Sequence, residues 1–265
     1  MKIVCLKGGL GNQMFEYCRF RDLMESGHDE VYLFYDHRRL KQHNGLRLSD
    51  CFELELPSCP WGIKLVVWGL KICRAVGVLK RLYDDEKPEA VLIDDYSQHR
   101  RFIPNARRYF FFRQFLAELQ SGFVQMIRAV DYPVSVHVRR GDYLHPSNSS
   151  FGLCGVDYFQ QAIAYVRKKR PDARFFFFSD DMEWVRENLW MEDAVYVEHT
   201  ELMPDYVDLY LMTLCRGHII SNSTFSFWGA YLAVDGNGMK IYPHRWFRDP
   251  TWTSPPIFSE EWVGL

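Results

Sequence analysis

The sequence predicts an α/β protein made of two Rossmann-like domains facing each other across a cleft. Two observations lead there. Near the amino terminus a short apolar strand, residues 3–6, runs into Gly8-Gly9-Leu10-Gly11-Asn12-Gln13 and then a helical pattern over about 14–24. In the carboxy-terminal half, three apolar strands each end in a polar cluster that opens a helix, so their ends fall on one edge of a parallel sheet. A chain of 265 residues, 48% hydrophobic and 25% charged, has core enough for both halves. The formal net charge of −2 excludes a general polyanion binder, which disfavours nucleic acid as a partner and makes any attraction for phosphate local. Seven cysteines, odd in number and without a CxxC pair, indicate neither a disulfide framework nor a zinc site. With a first apolar stretch too short for a signal peptide or a membrane span, a cytoplasmic location is expected.

Residues 31–35 read as a second strand, and 37–49 as loop and short helix. Residues 61–82 stand apart: they are apolar, carry Lys64, Lys71, Arg74, Lys80 and Arg81, and contain no acid. Such a basic amphipathic segment either lies on the inner face of an anionic membrane or packs on the protein body with its lysines reaching water. Its internal charges rule out a span. Residues 91–93 form a strand ending in Asp94-Asp95, and 102–119 are aromatic-rich and helical in their second half. Pro133 limits Tyr132 to extended geometry and a fresh strand starts at Val134, which places the domain boundary at 130/131. Beyond that strand, 145–155 is loop and Asp157 is the expected N-cap of a helix reaching 169. Phe175-Phe176-Phe177-Phe178, bounded by Pro171 and Ser179, is too short for a helix and reads as a strand buried on both faces. A short strand at 195–197, a helix at 205–216, and strands at 218–220 and 240–243 follow. Trp246, Trp252 and Trp262 populate an irregular tail that either packs down or stacks on sugars.

Four stretches carry chemistry. Val134-Ser135-Val136-His137-Val138-Arg139-Arg140-Gly141-Asp142-Tyr143 sets two guanidiniums at a strand's carboxyl end, where such rigid donor forks require an anionic partner: a diphosphate or the nearby Asp142. Ser179-Asp180-Asp181 ends the phenylalanine strand, and its acids either accept hydrogen bonds from a base or ribose or cap the next helix. Ser221-Asn222-Ser223-Thr224-Phe225-Ser226 crowds four hydroxyls and an amide into a strand-to-helix turn, where backbone donors and the helix dipole favour phosphate. The glycine stretch at 8–13 either offers backbone N–H groups to a closely held anion or simply needs glycine to turn. Its G-G-x-G spacing departs from the dinucleotide fingerprint and disfavours a dehydrogenase. No Asp-x-Asp between apolar strands suggests a divalent-ion clamp, and Asp180 and Asp181, adjacent in an extended chain, point apart.

The blocks His137-Val138-Arg139-Arg140-Gly141-Asp142-Tyr143, Phe177-Phe178-Ser179-Asp180-Asp181 and Ser221 through Ala230 resemble the signature blocks of the alpha-1,2-fucosyltransferases. Gly8-Gly9-Leu10-Gly11-Asn12-Gln13-Met14 is similar to that family's amino-terminal block, and the order is the family's over nearly the whole chain, with 61–82 poorly covered. The resemblance implies a GT-B-type glycosyltransferase that moves L-fucose from the co-substrate GDP-fucose to the 2-hydroxyl of a terminal galactose, with inversion and without a metal or other cofactor. It implies an acceptor-side domain at 1–130 and a GDP-fucose-binding domain at 131–265. The implied acceptor is a galactose-terminated oligosaccharide; a lipid-linked glycan, which the basic 61–82 segment could recruit, is the other acceptor expected. By position, Arg139 holds the β-phosphate and stabilises the leaving GDP, His137 and Arg140 support it, and Asp180 faces the guanosine. Ser223, Thr224 and Ser226 bind the diphosphate or fucose, and Ser221, Asn222 and Phe225 of the same turn are donor-binding with them. Gly9, Gly11, Asn12 and Gln13 close over the donor or acceptor. Asp142 and Glu16 are the candidate bases for the acceptor hydroxyl, Glu16 standing where many members carry glutamine. A binding module without catalysis and a transferase for another nucleotide sugar are the competing readings.

Overall fold

Two parallel sheets organise the chain, one in each of two units, Met1–Arg113 and Gln114–Leu265. The structure, a computed structural model, describes residues 1–84, 87–119, 122–198 and 203–265. In the first unit β1 (Lys2–Leu6), β2 (Val31–Tyr35) and β3 (Leu92–Ile93) pair in the order β2-β1-β3. The central strand is apolar throughout its buried length, as a strand covered on both faces must be. Helix α1 (Leu10–Glu25) packs along β1 and β2. Two single-turn helices follow, α2 (His37–Leu40) and α3 (Leu48–Cys51). Then α4 (Trp61–Ala75) lays Ile63, Val67 and Leu70 against Ile3, Cys5 and Leu92.

The second unit opens with α5 (Gln114–Ala117) and α6 (Gly122–Arg128). Six parallel strands follow: β4 (Tyr132–Val138), β5 (Ala173–Ser179), β6 (Val195–Tyr196), β7 (Gly217–Ile219), β8 (Lys240–Tyr242) and β9 (Val263–Gly264). The connections include α7 (Val156–Lys169), α8 (Met182–Asn188), α9 (Tyr206–Thr213) and α10 (Thr224–Tyr231). The sheet order is β6-β5-β4-β7-β8-β9, which counted from this unit's first strand is the doubly wound order 3-2-1-4-5-6. In such sheets the ligand crevice lies outside the carboxyl ends of the strands where the order reverses, here between β4 and β7. Every residue of β4 is buried, and Phe175, Phe176, Phe177 and Phe178 of β5 have no exposed surface, so the middle of the sheet is a rigid platform.

The sequence-based outline departs from this structure in three places. The units divide between Arg113 and Gln114 and not at 130/131, because α5 and α6 already belong to the second unit, where the ring of Phe115 meets Tyr206 edge-on. Proline marks the start of β4, not the start of the unit. Helix α7 is capped by Gly155, and Asp157 falls in its first turn, where its charge suits the helix dipole. The tail is also less irregular than expected, since β9 adds a sixth strand. Phe258 stacks on Tyr242 at 3.8 Å, Trp262 stacks on Phe227 at 5.3 Å and Trp246 is buried, so packing down is the tail's role for these rings.

The turn leading into β8 passes tightly under Arg216: a Cβ on Gly238 would lie 1.5 Å from the Arg216 carbonyl oxygen, backbone against backbone. Gly238→Ala should therefore destabilise the second unit by about 1–3 kcal/mol, the usual cost of overpacking. Scanning calorimetry would read this as a drop in Tm of about 2–4 °C per kcal/mol. An unchanged Tm would show that the turn relaxes freely.

Candidate active site

The parallel register sets three strand ends side by side. Val138 pairs with Ser179, and Val136 with Ile219, so Arg139 and Arg140, Asp180 and Asp181, and Ser221 and Asn222 all leave the sheet at the reversal point. Arg139 reaches Asp142 Oδ1 at 2.7 Å with one terminal nitrogen and Asp180 Oδ2 at 2.8 Å with the other. Burial opposes its charge, but Asp180 and Asp142 outweigh burial and raise its pKa. Arg140 donates from Nε to Asp181 Oδ2 at 2.9 Å and lies 4.0 Å over the Trp184 ring. Its backbone N–H donates to Asp180 Oδ1 at 2.9 Å. Gly141 is small for a reason: a Cβ there would sit 2.5 Å from Asp180 Oδ2.

The guanidiniums are satisfied by carboxylates of the protein itself, and Asp180, expected to face a guanosine, faces Arg139 and the Arg140 backbone. Asp181 caps α8, accepting the Trp184 N–H at 3.2 Å, and its bond from Arg140 holds its carboxyl below the usual range. Asp142, a candidate base, is engaged with Arg139 and is 46% exposed on a short turn.

The hydroxyl-rich turn after β7 divides into an inward and an outward part. Ser221 Oγ meets Nδ1 of the buried His137 at 3.0 Å, and that imidazole packs on the Phe225 ring at 5.8 Å. One layer deeper Ser135 Oγ meets His218 Nδ1 at 2.8 Å. His218 is fully buried; burial and then Lys240 push its pKa down to about 3, so it stays neutral. Asn222, expected to bind the donor, spends its amide on the protein. Nδ2 donates to the carbonyls of Phe151 at 3.0 Å and Trp246 at 2.9 Å, and Oδ1 accepts from Cys154. Ser226, also expected at the donor, is fully buried and donates to the Ser223 carbonyl at 3.0 Å. Ser223, Thr224 and Phe225 remain at the amino terminus of α10. Ser223 caps the helix without a side-chain bond, and Thr224 and Phe225 are partly exposed.

The glycine stretch is a helix start rather than an open loop. α1 begins at Leu10, so Gly11, Asn12 and Gln13 lie in its first turn, Gly9 is its extended N-cap, and Gly8 makes the turn at φ +70°. The buried Gln13 amide donates to the carbonyls of Gly8 and Gly45, both at 2.9 Å, and accepts the Arg47 N–H. It ties two connections together, whereas Asn12 accepts from Gln98 Nε2 at 2.9 Å and is partly exposed. Glu16 is fully buried: Oε2 accepts the Lys7 N–H at 2.7 Å and Oε1 has no partner among the described residues. Burial, then Asp95 and Asp94, raise its pKa well above the usual carboxylate range against the Lys7 N–H and charge. With Oε2 on the Lys7 N–H, Glu16 ties α1 to the end of β1, just ahead of the glycine turn.

Two features were not foreseen. Tyr143 donates to the Asn222 carbonyl at 2.9 Å and stacks on Phe151 at 5.1 Å, joining the arginine turn to the serine turn. Beside it a cavity of about 470 Å³ is lined by Tyr143, Phe151, Cys154, Asn222, Phe247 and Arg248. Its only trace in the sequence is the aromatic content of the tail.

The family model described as Glycosyl transferase family 11 matches residues 105–265. The chain is 25% identical to the O-antigen biosynthesis glycosyltransferase WbnK of Escherichia coli, over 98% of this chain and 99% of that one. It is 28% identical to an alpha-1,2-colitosyltransferase of the same organism, over 98% and 97%. It is 35% identical to the Homo sapiens galactoside alpha-(1,2)-fucosyltransferase 1, over 54% of this chain and 42% of the relative. Among solved structures, NodZ alpha-1,6-fucosyltransferase soaked with GDP-fucose superposes with a TM-score of 0.52 at 15% identity, over 88% and 92% of the two chains. That likeness fixes the fold as GT-B-like.

The state of Glu16 has a measurable consequence. Its native pKa is raised, so the folded chain holds a proton that the unfolded chain releases. The stability this confers is complete below the unfolded pKa and is lost as pH rises toward the native one. Glu16→Gln keeps the shape of the protonated carboxyl and removes that loss. Its Tm should gain on the wild type as pH rises above the ordinary glutamate range, each kcal/mol appearing as about 2–4 °C. A gap that does not widen with pH would mean that Glu16 ionises freely.

Proposed function

Because this chain belongs to glycosyl transferase family 11 it is a glycosyltransferase, and we propose that it transfers L-fucose from GDP-fucose to the 2-hydroxyl of a terminal galactose. The observation that carries this reading is Arg139, held by Asp142 and Asp180 at the carboxyl end of β4, beside the reversal of strand order. As GDP leaves, negative charge collects on its β-phosphate while the sugar becomes cation-like. A guanidinium already in place there, with the amino terminus of α10 across from it, binds the transition state better than the ground state. Arg140, clamped between Asp181 and Trp184, keeps the turn in register.

Two arginines against Asp142, Asp180 and Asp181 leave this corner one charge negative before a donor enters. A diphosphate therefore binds by exchange with one of the carboxylates on Arg139. Asp180 is the poorer candidate to leave, being 27% exposed and also held by the Arg140 N–H. Asp142, 46% exposed and on a short turn, gives way, and its freed carboxylate accepts the proton of the galactose hydroxyl as the C–O bond forms with inversion. The charge on the leaving group is met by guanidinium and backbone N–H, so the reaction needs no divalent ion. The alpha-1,2-colitosyltransferase relative gives colitose as the alternative sugar.

Arg139→Ala should lower kcat/KM for GDP release in the presence of a galactoside by about 10²–10³, near 3 kcal/mol, with the wild-type Tm. Turnover in the wild type should survive EDTA, and GDP-fucose should be used faster than GDP-colitose. Unchanged turnover in the Arg139 variant would overturn the assignment. Asp142→Asn should bind GDP more tightly in calorimetry, since it removes a competitor for Arg139, yet turn over at least about tenfold more slowly. Weaker GDP binding in that variant would show that Asp142 supports the donor instead of yielding to it.

A further inference from the structure

Helix α4 buries one stripe and exposes another. Ile63, Val67 and Leu70 face the core, whereas Trp61, Leu65, Trp68 and Ile72, at i, i+4, i+7 and i+11, line the opposite side. Trp61 and Trp68 are each 72% exposed. Val76, Val78 and Leu79 carry the stripe beyond the helix, each at least 50% exposed. Singly exposed apolar residues are ordinary, but a continuous stripe with two tryptophans marks a surface that something covers.

The charges around the stripe indicate what that is. From Trp61 to Tyr83 the chain has five cations and no acid. Lys71 and Arg74 turn toward Asp94, at 3.5 Å each. Lys64, Lys80 and Arg81 are exposed and, among the described residues, form no ion pair. At 1.5 Å per residue α4 is roughly 22 Å long, short of a hydrocarbon core of about 30 Å, and no described helix is long and apolar enough to cross a membrane. At a membrane it would therefore lie in the plane of the interface. A second copy of the chain is a poor occupant, because a two-fold interface over this stripe would bring two sets of like charges together with no acid between Trp61 and Tyr83 to offset them.

We infer that α4 and the turn after it, residues 61–81, dock this protein on an anionic bilayer surface. Trp61, Leu65, Trp68 and Ile72 seat at the headgroup boundary, and Lys64, Lys80 and Arg81 meet the anionic headgroups. The inference does not depend on which sugar the enzyme transfers. Co-sedimentation of the full chain with vesicles of phosphatidylcholine, with and without phosphatidylglycerol, tests it directly. Vesicles containing phosphatidylglycerol should carry the chain down and shift its tryptophan emission to the blue. Trp61→Ser with Trp68→Ser should lower partitioning by about tenfold or more. Lys64→Gln, Lys80→Gln and Arg81→Gln together should lower it by about two orders of magnitude at low salt. All these side chains are exposed, so both variants should keep the wild-type circular dichroism and Tm. Absence of wild-type partitioning would overturn the inference, as would equal binding to neutral vesicles. A lipid-free dimer that the tryptophan variant dissolves, with no vesicle binding, would assign the stripe to self-association instead.

Discussion

One carboxylate holds the candidate active site in shape. Asp180 accepts the backbone N–H of Arg140 and the guanidinium of Arg139, and it fills the space that any side chain at Gly141 would need. Charge-assisted bonds of this kind are short and directional, so a single group fixes both the path of the turn after β4 and the direction of its principal cation. The group is itself fixed, because β5 ends level with β4 and Ser179 Oγ donates to the Val138 carbonyl at 2.9 Å. The phenylalanine platform below keeps the two strand ends from drifting apart. A preorganised cation of this sort does its electrostatic work without reorganising at the moment of reaction.

Satisfying the arginines internally also answers a stability problem. Two guanidiniums facing solvent-poor ground with no counter-charge would be costly to fold around, and the three aspartates remove that cost in the resting state.

The architecture was legible in the sequence wherever it follows from local pattern. Strand ends at Arg139, Asp180 and Ser221 could be read because an apolar run followed by a polar cluster needs no knowledge of distant partners. The partners themselves could not be read: Arg140 and Asp181 are forty-one positions apart, and only the register of β4 on β5 brings them together. The start of α1 was misjudged because glycine and asparagine have low helix propensity, and tertiary bonds from Gln13 overrode it. Asn222 and Ser226 carry the groups a phosphate site would use, yet burial commits them to backbone carbonyls, and burial is not visible in composition. For Glu16 the reverse holds. Its type suggested a base, and the structure encloses it completely and engages it with the Lys7 N–H.

Asn222 gives the molecule a crosslink whose effects reach beyond its own turn. Its amide joins the carbonyls of the 145–155 connection to that of Trp246 in the tail, and its carbonyl receives the Tyr143 hydroxyl. Three surface segments that differ in sequence neighbourhood are therefore mechanically one piece, anchored to the first turn of α10. Insertions or swaps that reshape the 145–155 connection would be transmitted to that helix start. Diversification of this rim, whether by natural drift or in the laboratory, is accordingly confined to changes that leave the Phe151 and Trp246 carbonyls where a single amide can hold both.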